Sequence, residues 1–140
     1  YEAYDVNPVM VSHLRRAGVN AHCCDLCLGN LPSGDVLTMN GSFHLFYPDF
    51  RLMIESMIAK AKSQVIITEP VRNLSNSRFR FMRWLGRRIS IVDGRVTQFY
   101  FTPKTFLETV KQIPQLREVR RTASGRDILA VFSCEAGSGS

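Results

Sequence analysis

The sequence has 140 residues, a length that predicts one domain, and it carries a net charge of +6. Its hydrophobic content of 45% excludes a disordered chain. No apolar run reaches about 18 residues, so no transmembrane helix is predicted. Three of the four cysteines, Cys23, Cys24 and Cys27, lie too close together for a disulfide framework and predict reduced thiols in a cytoplasmic protein. They predict no metal site, because Cys23 and Cys24 point to opposite faces of a strand.

The first half of the chain alternates between strands and helices. In order, it predicts a strand at 1–6, a helix from Asn7-Pro8 to Gly18, strands at 19–24 and from Asp35, a helix at 48–62 and a strand at 64–68. Val9, Met10 and Leu14 form the apolar stripe of the first helix. Strands that alternate with helices favour an α/β fold with a parallel sheet.

The last part of the chain has a different pattern. A helix is predicted from Thr102-Pro103. Two extended runs at 119–122 and 127–133, joined by a short turn, predict an antiparallel hairpin. Residues 136–140 have the composition of a flexible linker or tag remnant.

The net charge belongs to one segment, residues 71–101, which we term the basic insertion. It holds seven arginines and one acid, Asp93, and this difference of +6 equals the charge of the whole chain. Three alternatives explain this segment. It is either a lid that holds an anionic substrate, a surface for nucleic acid or anionic lipid, or a helix that docks on its own domain or on a second subunit. Its candidate contact residues are Arg78, Arg80, Arg83, Trp84 and Arg87.

Small polar residues follow the apolar strand that begins at Asp35. Asn40, Gly41 and Ser42 end this strand, and His44 comes next. Ligands of open α/β sheets bind at the carboxyl ends of strands, so this end is either a binding site or an ordinary loop. His44 is the one histidine placed to act as a general base; the alternative is a histidine packed among aromatic neighbours.

With these features in place, residues 1–134 resemble the class I S-adenosylmethionine-dependent methyltransferases. In that family acids end the second and third strands, as Asp5 and Asp25 do here, and the fourth strand leads into the methyl-transfer site, as the strand before Asn40 does. An apolar fifth strand and a final antiparallel hairpin complete the likeness. The resemblance implies a Rossmann-like three-layer sandwich with a mostly parallel sheet, S-adenosylmethionine as cofactor, and methyl transfer to an unidentified small-molecule or anionic acceptor.

The resemblance also implies roles for single residues. Asp5 would bind the ribose hydroxyls, although an acid at this position can equally support the start of a helix. Asp25 would lie beside the adenine, or else cap a turn. Seven residues would bind the cofactor: Asp5, Val6, Asp25, Leu26, Asn40, Gly41 and Ser42.

The sequence departs from the family in one respect. The first strand and its glycine-rich loop are absent, since no Gly-x-Gly-x-Gly occurs. In the family that strand is central, and without it two sheet edges would carry unpaired backbone groups. We therefore expect an N-terminally incomplete methyltransferase domain at 1–135 of a longer protein. Its first strand would come from another segment or chain, and a homo-oligomer is compatible with this.

Two rival hypotheses belong to other functional classes. The first is a binding module of the same fold without activity, which acts on anionic partners through its arginine-rich face. The second is a nucleotide-binding Rossmann domain, which the antiparallel hairpin disfavours.

Overall fold

The computed structural model describes residues 1–26, 29, 31–71 and 99–134. These residues form two compact units, one from Tyr1 to Leu31 and the other from Pro32 onwards. The basic insertion, apart from its first and last residues, lies outside the described residues, and so do Cys27 and the predicted linker at 136–140.

The first unit is a parallel strand pair joined by one helix. β1 (Glu2–Asp5) and β2 (Asn20–Cys23) pair in parallel, and α1 (Pro8–Arg16) connects them. The side chain of Asn7 accepts a hydrogen bond from the Val9 N–H, and Pro8 opens the first turn. The helix start predicted from Asn7-Pro8 is confirmed.

The apolar stripe predicted on α1 is wrong at Val9 and Met10 but confirmed at Leu14. Val9 is 70% exposed and Met10 47% exposed, whereas Val11 is buried against two alanines of the strands, with Leu14 packed beside it. Val11 and Leu14 lie three residues apart and share a face of the helix. Burial is centred on that face, which leaves Met10 at its margin and Val9 on the opposite side.

The second unit is built on a four-stranded sheet with the order β3-β4-β6-β5. Its strands are β3 (Gly34–Asn40), β4 (Ala61–Pro70), β5 (Leu116–Arg121) and β6 (Asp127–Ser133). β3 and β4 are parallel, whereas β6 is antiparallel to both β4 and β5, which confirms the predicted hairpin. The mostly parallel sheet is not confirmed, because this sheet is mixed. The three-layer arrangement of the whole chain stays a prediction.

Two helical segments connect β3 to β4 in the second unit. A 3-10 helix (Phe43–Phe46) follows the end of β3 and precedes α2 (Phe50–Lys60). The helical spacing predicts an apolar face of Phe50, Met53, Ile54, Met57, Ile58 and Ala61. The first four are buried on α2, whereas Ile58 is half-buried and Ala61 already belongs to β4.

α3 (Pro103–Val110) precedes β5 and begins at a capping box. The Thr102 side chain accepts from the Thr105 N–H, and the Thr105 side chain accepts from the Thr102 N–H. Phe106 and Val110 are fully buried. Among the helices of the described ranges, none is long and apolar enough to cross a bilayer.

Candidate functional site

The polar strand end predicted from the sequence lies beside the end of β4. Asn40 pairs with Thr68, and the Gly41 N–H donates to the Thr68 carbonyl at 2.8 Å. Gly41 has a φ of +67°, a conformation that glycine adopts without strain, so the chain turns sharply after β3. Glu69 follows Thr68, and the carboxyl ends of the two parallel strands therefore bring the Asn40–Ser42 turn close to an acid.

Glu69 is a buried carboxylate. It is 1% exposed and lies on the same face of β4 as Val65 and Ile67, which are fully buried. Both of its oxygens have hydrogen-bond partners, because the Phe43 N–H donates to Oε2 at 3.0 Å and His44 Nδ1 lies 2.6 Å from Oε1. A buried carboxylate without partners would be strongly destabilising, so these two contacts explain how the core side of β4 accommodates an acid.

His44, the predicted catalytic residue, is held by two contacts. Its side chain is 16% exposed, Nδ1 contacts Glu69, and its ring stacks on Tyr100 with centroids 5.4 Å apart and planes inclined by 27°. An ionised carboxylate can only accept hydrogen bonds, so beside an ionised Glu69 the proton is on Nδ1 and Nε2 keeps its lone pair. Nε2 is then the atom of this site that can take a proton from a ligand.

Aromatic contacts fix the segment that carries Tyr100. On one side of Tyr100, Phe101 stacks on Phe43 with centroids 5.3 Å apart and planes inclined by 4°. On the other side, Phe99 stacks on Tyr47 at 4.6 Å with an angle of 14°. Three consecutive residues therefore lie along the 3-10 helix, and the ring that faces His44 is the middle one.

In the first unit, the two predicted acids lie at or just beyond the carboxyl ends of the paired strands β1 and β2. Asp5 ends β1 opposite Cys23 of β2, and Asp25 follows two residues later. Asp5 Oδ1 accepts from the Asn7 N–H at 2.7 Å, which is the helix-supporting role left open by the sequence. Among the described residues Asn7 is the one donor to this carboxylate, so Oδ2 can accept a ribose hydroxyl as well.

The structure thus groups the predicted residues by unit. Val6 and Leu26 follow the same strands as the two acids of the first unit, and Ser42 Oγ donates to the Asn40 carbonyl at 3.4 Å in the second. A cleft of about 360 Å³ beside α1, which includes Arg15 and Arg16, contains none of the predicted cofactor residues. The predicted substrate residues from Arg78 to Arg87 lie outside the described part of the chain.

Two residues of the site were not predicted from the sequence as functional. Glu69 directly follows the strand predicted at 64–68, and its position in phase with Val65 and Ile67 is the signal that places it on the buried face. Tyr100 gave no local signal, because its partner His44 lies more than fifty residues earlier in the chain.

No protein-family model matches the sequence, and no curated protein is significantly similar to it. Solved structures are similar in fold. Magnesium protoporphyrin IX methyltransferase (ChlM) from Synechocystis PCC 6803, solved with bound SAH, has a TM-score of 0.60 at 11% identity over 94% of this chain and 62% of that chain. An O-methyltransferase family protein from Burkholderia thailandensis has a TM-score of 0.61 at 14% identity, over 98% and 44%.

A SAM dependent methyltransferase from Aquifex aeolicus is also similar, with a TM-score of 0.57 at 11% identity over 96% of this chain and 68% of that one. Identities this low show the fold alone. The chain has the α/β fold of class I S-adenosylmethionine-dependent methyltransferases, which confirms the resemblance at the level of the fold. It spans 62% and 44% of the first two structures.

Proposed function

We propose that this chain provides the catalytic part of an S-adenosylmethionine-dependent methyltransferase in which His44 is the general base. The observation that carries the proposal is the 2.6 Å contact between His44 Nδ1 and the buried Glu69 Oε1, at strand ends where such folds bind ligands. One of the similar structures, ChlM, was solved with SAH, which supports S-adenosylmethionine as the cofactor.

The residues of each unit fit this cofactor. In the first unit, Asp5 has an oxygen left for a ribose hydroxyl, and Asp25, Val6 and Leu26 follow the same strand ends. In the second unit, Asn40, Gly41 and Ser42 would line the methyl-transfer site, and Gly41 leaves open space where a side chain would project. S-adenosylmethionine supplies a methyl group on a positively charged sulfur. The first strand and glycine-rich loop would come from elsewhere in a longer protein or from a partner.

His44 and Glu69 favour an acceptor that loses a proton when it is methylated, such as a hydroxyl group. A base contributes nothing to the methylation of an acceptor that keeps its protons. His44 Nε2 would take the hydroxyl proton as the oxygen attacks the methyl carbon. The resulting imidazolium would be stabilised by Glu69, which already holds Nδ1 and fixes the ring. The other help the protein gives is to align the reactants and exclude water.

The rival hypothesis of an inactive binding module rests on the basic insertion. Apart from Val71 and residues 99–101, that segment lies outside the described residues, and nothing in the described part of the chain favours the hypothesis. The lid role of Arg78, Arg80, Arg83, Trp84 and Arg87, a nucleic-acid partner and a homo-oligomer therefore stay predictions.

Substitution of His44 by Asn in the full-length protein tests the proposal. Asn retains a donor for the buried carboxylate but has no basic nitrogen, so the fold should persist. We expect SAH formation with a panel of simple phenols and alcohols to fall by about 10²- to 10⁴-fold. The affinity for S-adenosylhomocysteine, measured by calorimetry, should be unchanged. Full turnover in this variant would contradict the assignment of His44 as the base.

A further inference from the structure

We propose that Tyr100 is a positioning residue for His44, an inference that rests on the proposed function. One hydrogen bond at Nδ1 restrains that nitrogen but leaves the tilt of the imidazole plane, set by the χ1 and χ2 torsions, only loosely defined. His44 has one such bond, to Glu69, and the ring of Tyr100 covers one of its faces at a centroid distance of 5.4 Å. The bond fixes one ring nitrogen and the stacking fixes the plane, so together they determine where Nε2 points.

The stacking is part of a rigid arrangement. Phe101, the next residue, is fully buried and stacks on Phe43, whose N–H donates to Glu69. Tyr100 and His44 are therefore neighbours of residues that are themselves packed together. The packing of Phe101 holds the backbone from which the Tyr100 ring projects towards His44, which makes that ring a suitable support for a group that must keep one orientation.

The contact also bears on the charge that forms during reaction. When Nε2 takes the acceptor's proton, His44 becomes a cation. The Glu69 carboxylate then lies beside its Nδ1, and the Tyr100 ring stacks on one of its faces. Of the described groups, Glu69 and Tyr100 are the two ionisable side chains that contact His44. The face of a tyrosine ring attracts a cation, so stacking stabilises the protonated imidazole more than the neutral one. The lone pair of Nε2 lies in the plane of the imidazole, so the acceptor must approach Nε2 near that plane, and Tyr100 covers one of the two faces beside it.

Three substitutions in the full-length protein separate these effects. Tyr100→Phe keeps the aromatic face and removes only the hydroxyl, whereas Tyr100→Leu removes the face. Tyr47→Leu is the matched control, because Tyr47 also stacks on a ring of the same segment, Phe99, and has no ring contact with His44 in the described structure. Thermal unfolding of each variant checks that the fold is retained.

The first measurement needs no acceptor. Nitrogen chemical shifts of ¹⁵N-histidine-labelled protein report which ring nitrogen carries the proton, and the signals of His44 are assigned by their loss in His44→Asn. We expect a single tautomer, protonated at Nδ1, in the wild type, in Tyr100→Phe and in Tyr47→Leu. In Tyr100→Leu the contact with Glu69 still keeps the proton on Nδ1, but the ring is no longer held in one plane, so the ring signals of His44 should broaden as the ring samples several orientations. Ring signals as sharp in Tyr100→Leu as in the wild type would overturn the proposal.

The second measurement is turnover with the same phenols and alcohols. We expect kcat to fall about tenfold in Tyr100→Leu with KM little changed, and to stay near the wild-type value in Tyr100→Phe. Equal losses of kcat in Tyr100→Leu and Tyr47→Leu would indicate a purely structural effect and overturn the proposal. If His44→Asn retains full turnover, the proposed function fails, and the line widths of the His44 ring signals still decide whether Tyr100 positions His44.

Discussion

At the scale of single residues, Glu69 uses one carboxylate oxygen for His44 and the other for the Phe43 N–H. Glu69→Gln keeps the size of this side chain but removes its charge. The amide can also donate to Nδ1, which would favour the tautomer with the proton on Nε2, the wrong one for a base. We expect kcat to fall on the order of 10²- to 10⁴-fold, as when a histidine base loses its carboxylate partner.

The affinity of this variant for S-adenosylhomocysteine should remain that of the wild type, as measured by calorimetry. Glu55→Gln is the matched control, because Glu55 is an exposed acid on α2 whose partner is Arg51. Exposed pairs of this kind contribute little to stability, so the control should keep full activity. A Glu69→Gln enzyme with normal kcat would show that the buried acid serves the fold and not the base.

At the scale of secondary structure, the capping box at the start of α3 makes a prediction about stability. Thr102→Ala removes the side-chain oxygen that accepts from the Thr105 N–H, and we expect the free energy of unfolding to fall by about 1 kcal/mol. Thr102→Ser keeps the hydroxyl and should lose much less. Denaturant titration of both variants measures the difference, and equal stability of the Ala and Ser variants would show that the cap does not stabilise α3.

The elements that could be predicted from sequence are those with local signals. The helical spacing of Phe50 to Met57 predicted α2, and the turn between two extended runs predicted the β5–β6 hairpin. The buried face of α1 could not be predicted in this way. Its apolar residues at 9, 10, 11 and 14 cover most of the helix circumference, and the face that is buried depends on the strands it meets.

The same reasoning explains which parts of the site were found. Asn40, Gly41 and His44 were identified because polar residues after an apolar strand are a local pattern. Glu69 was in phase with buried residues, but an acid at a strand end is usually solvated, so periodicity alone did not assign it to the core. Tyr100 meets His44 only because the last residues of the basic insertion lie against the 3-10 helix, and no local pattern encodes a contact so distant in the chain.

At the scale of the whole molecule, the proposal requires that the chain bind its cofactor. Asp5→Asn keeps an oxygen for the Asn7 N–H but loses the charge and one acceptor, so the helix start should survive. We expect the affinity for S-adenosylhomocysteine in the full-length protein to fall by about 10- to 100-fold, the cost of losing a hydrogen bond to a charged group. Calorimetric titration measures it.

The control for this experiment is Asp35→Asn. Asp35 is an exposed acid at the start of β3, and it pairs with Lys62 of β4. The affinity of this variant should equal that of the wild type. A second readout is the melting temperature, because a ligand at about 100 times its Kd stabilises the folded state by about 2.7 kcal/mol. Unchanged affinity in Asp5→Asn would remove Asp5 from the cofactor site.

The position of β6 has a consequence for how the protein is made. β6 is the last of the described strands in the chain, yet it lies between β4 and β5 in the sheet. While the chain is being synthesised, β5 emerges before β6. Among the described strands, however, β5 is connected to β4 only through β6. The second unit therefore cannot complete its sheet strand by strand from the N-terminus. A ribosome that stalls before Asp127 would release a chain with an open β4 edge, a surface that chaperones and proteases recognise in unfinished proteins.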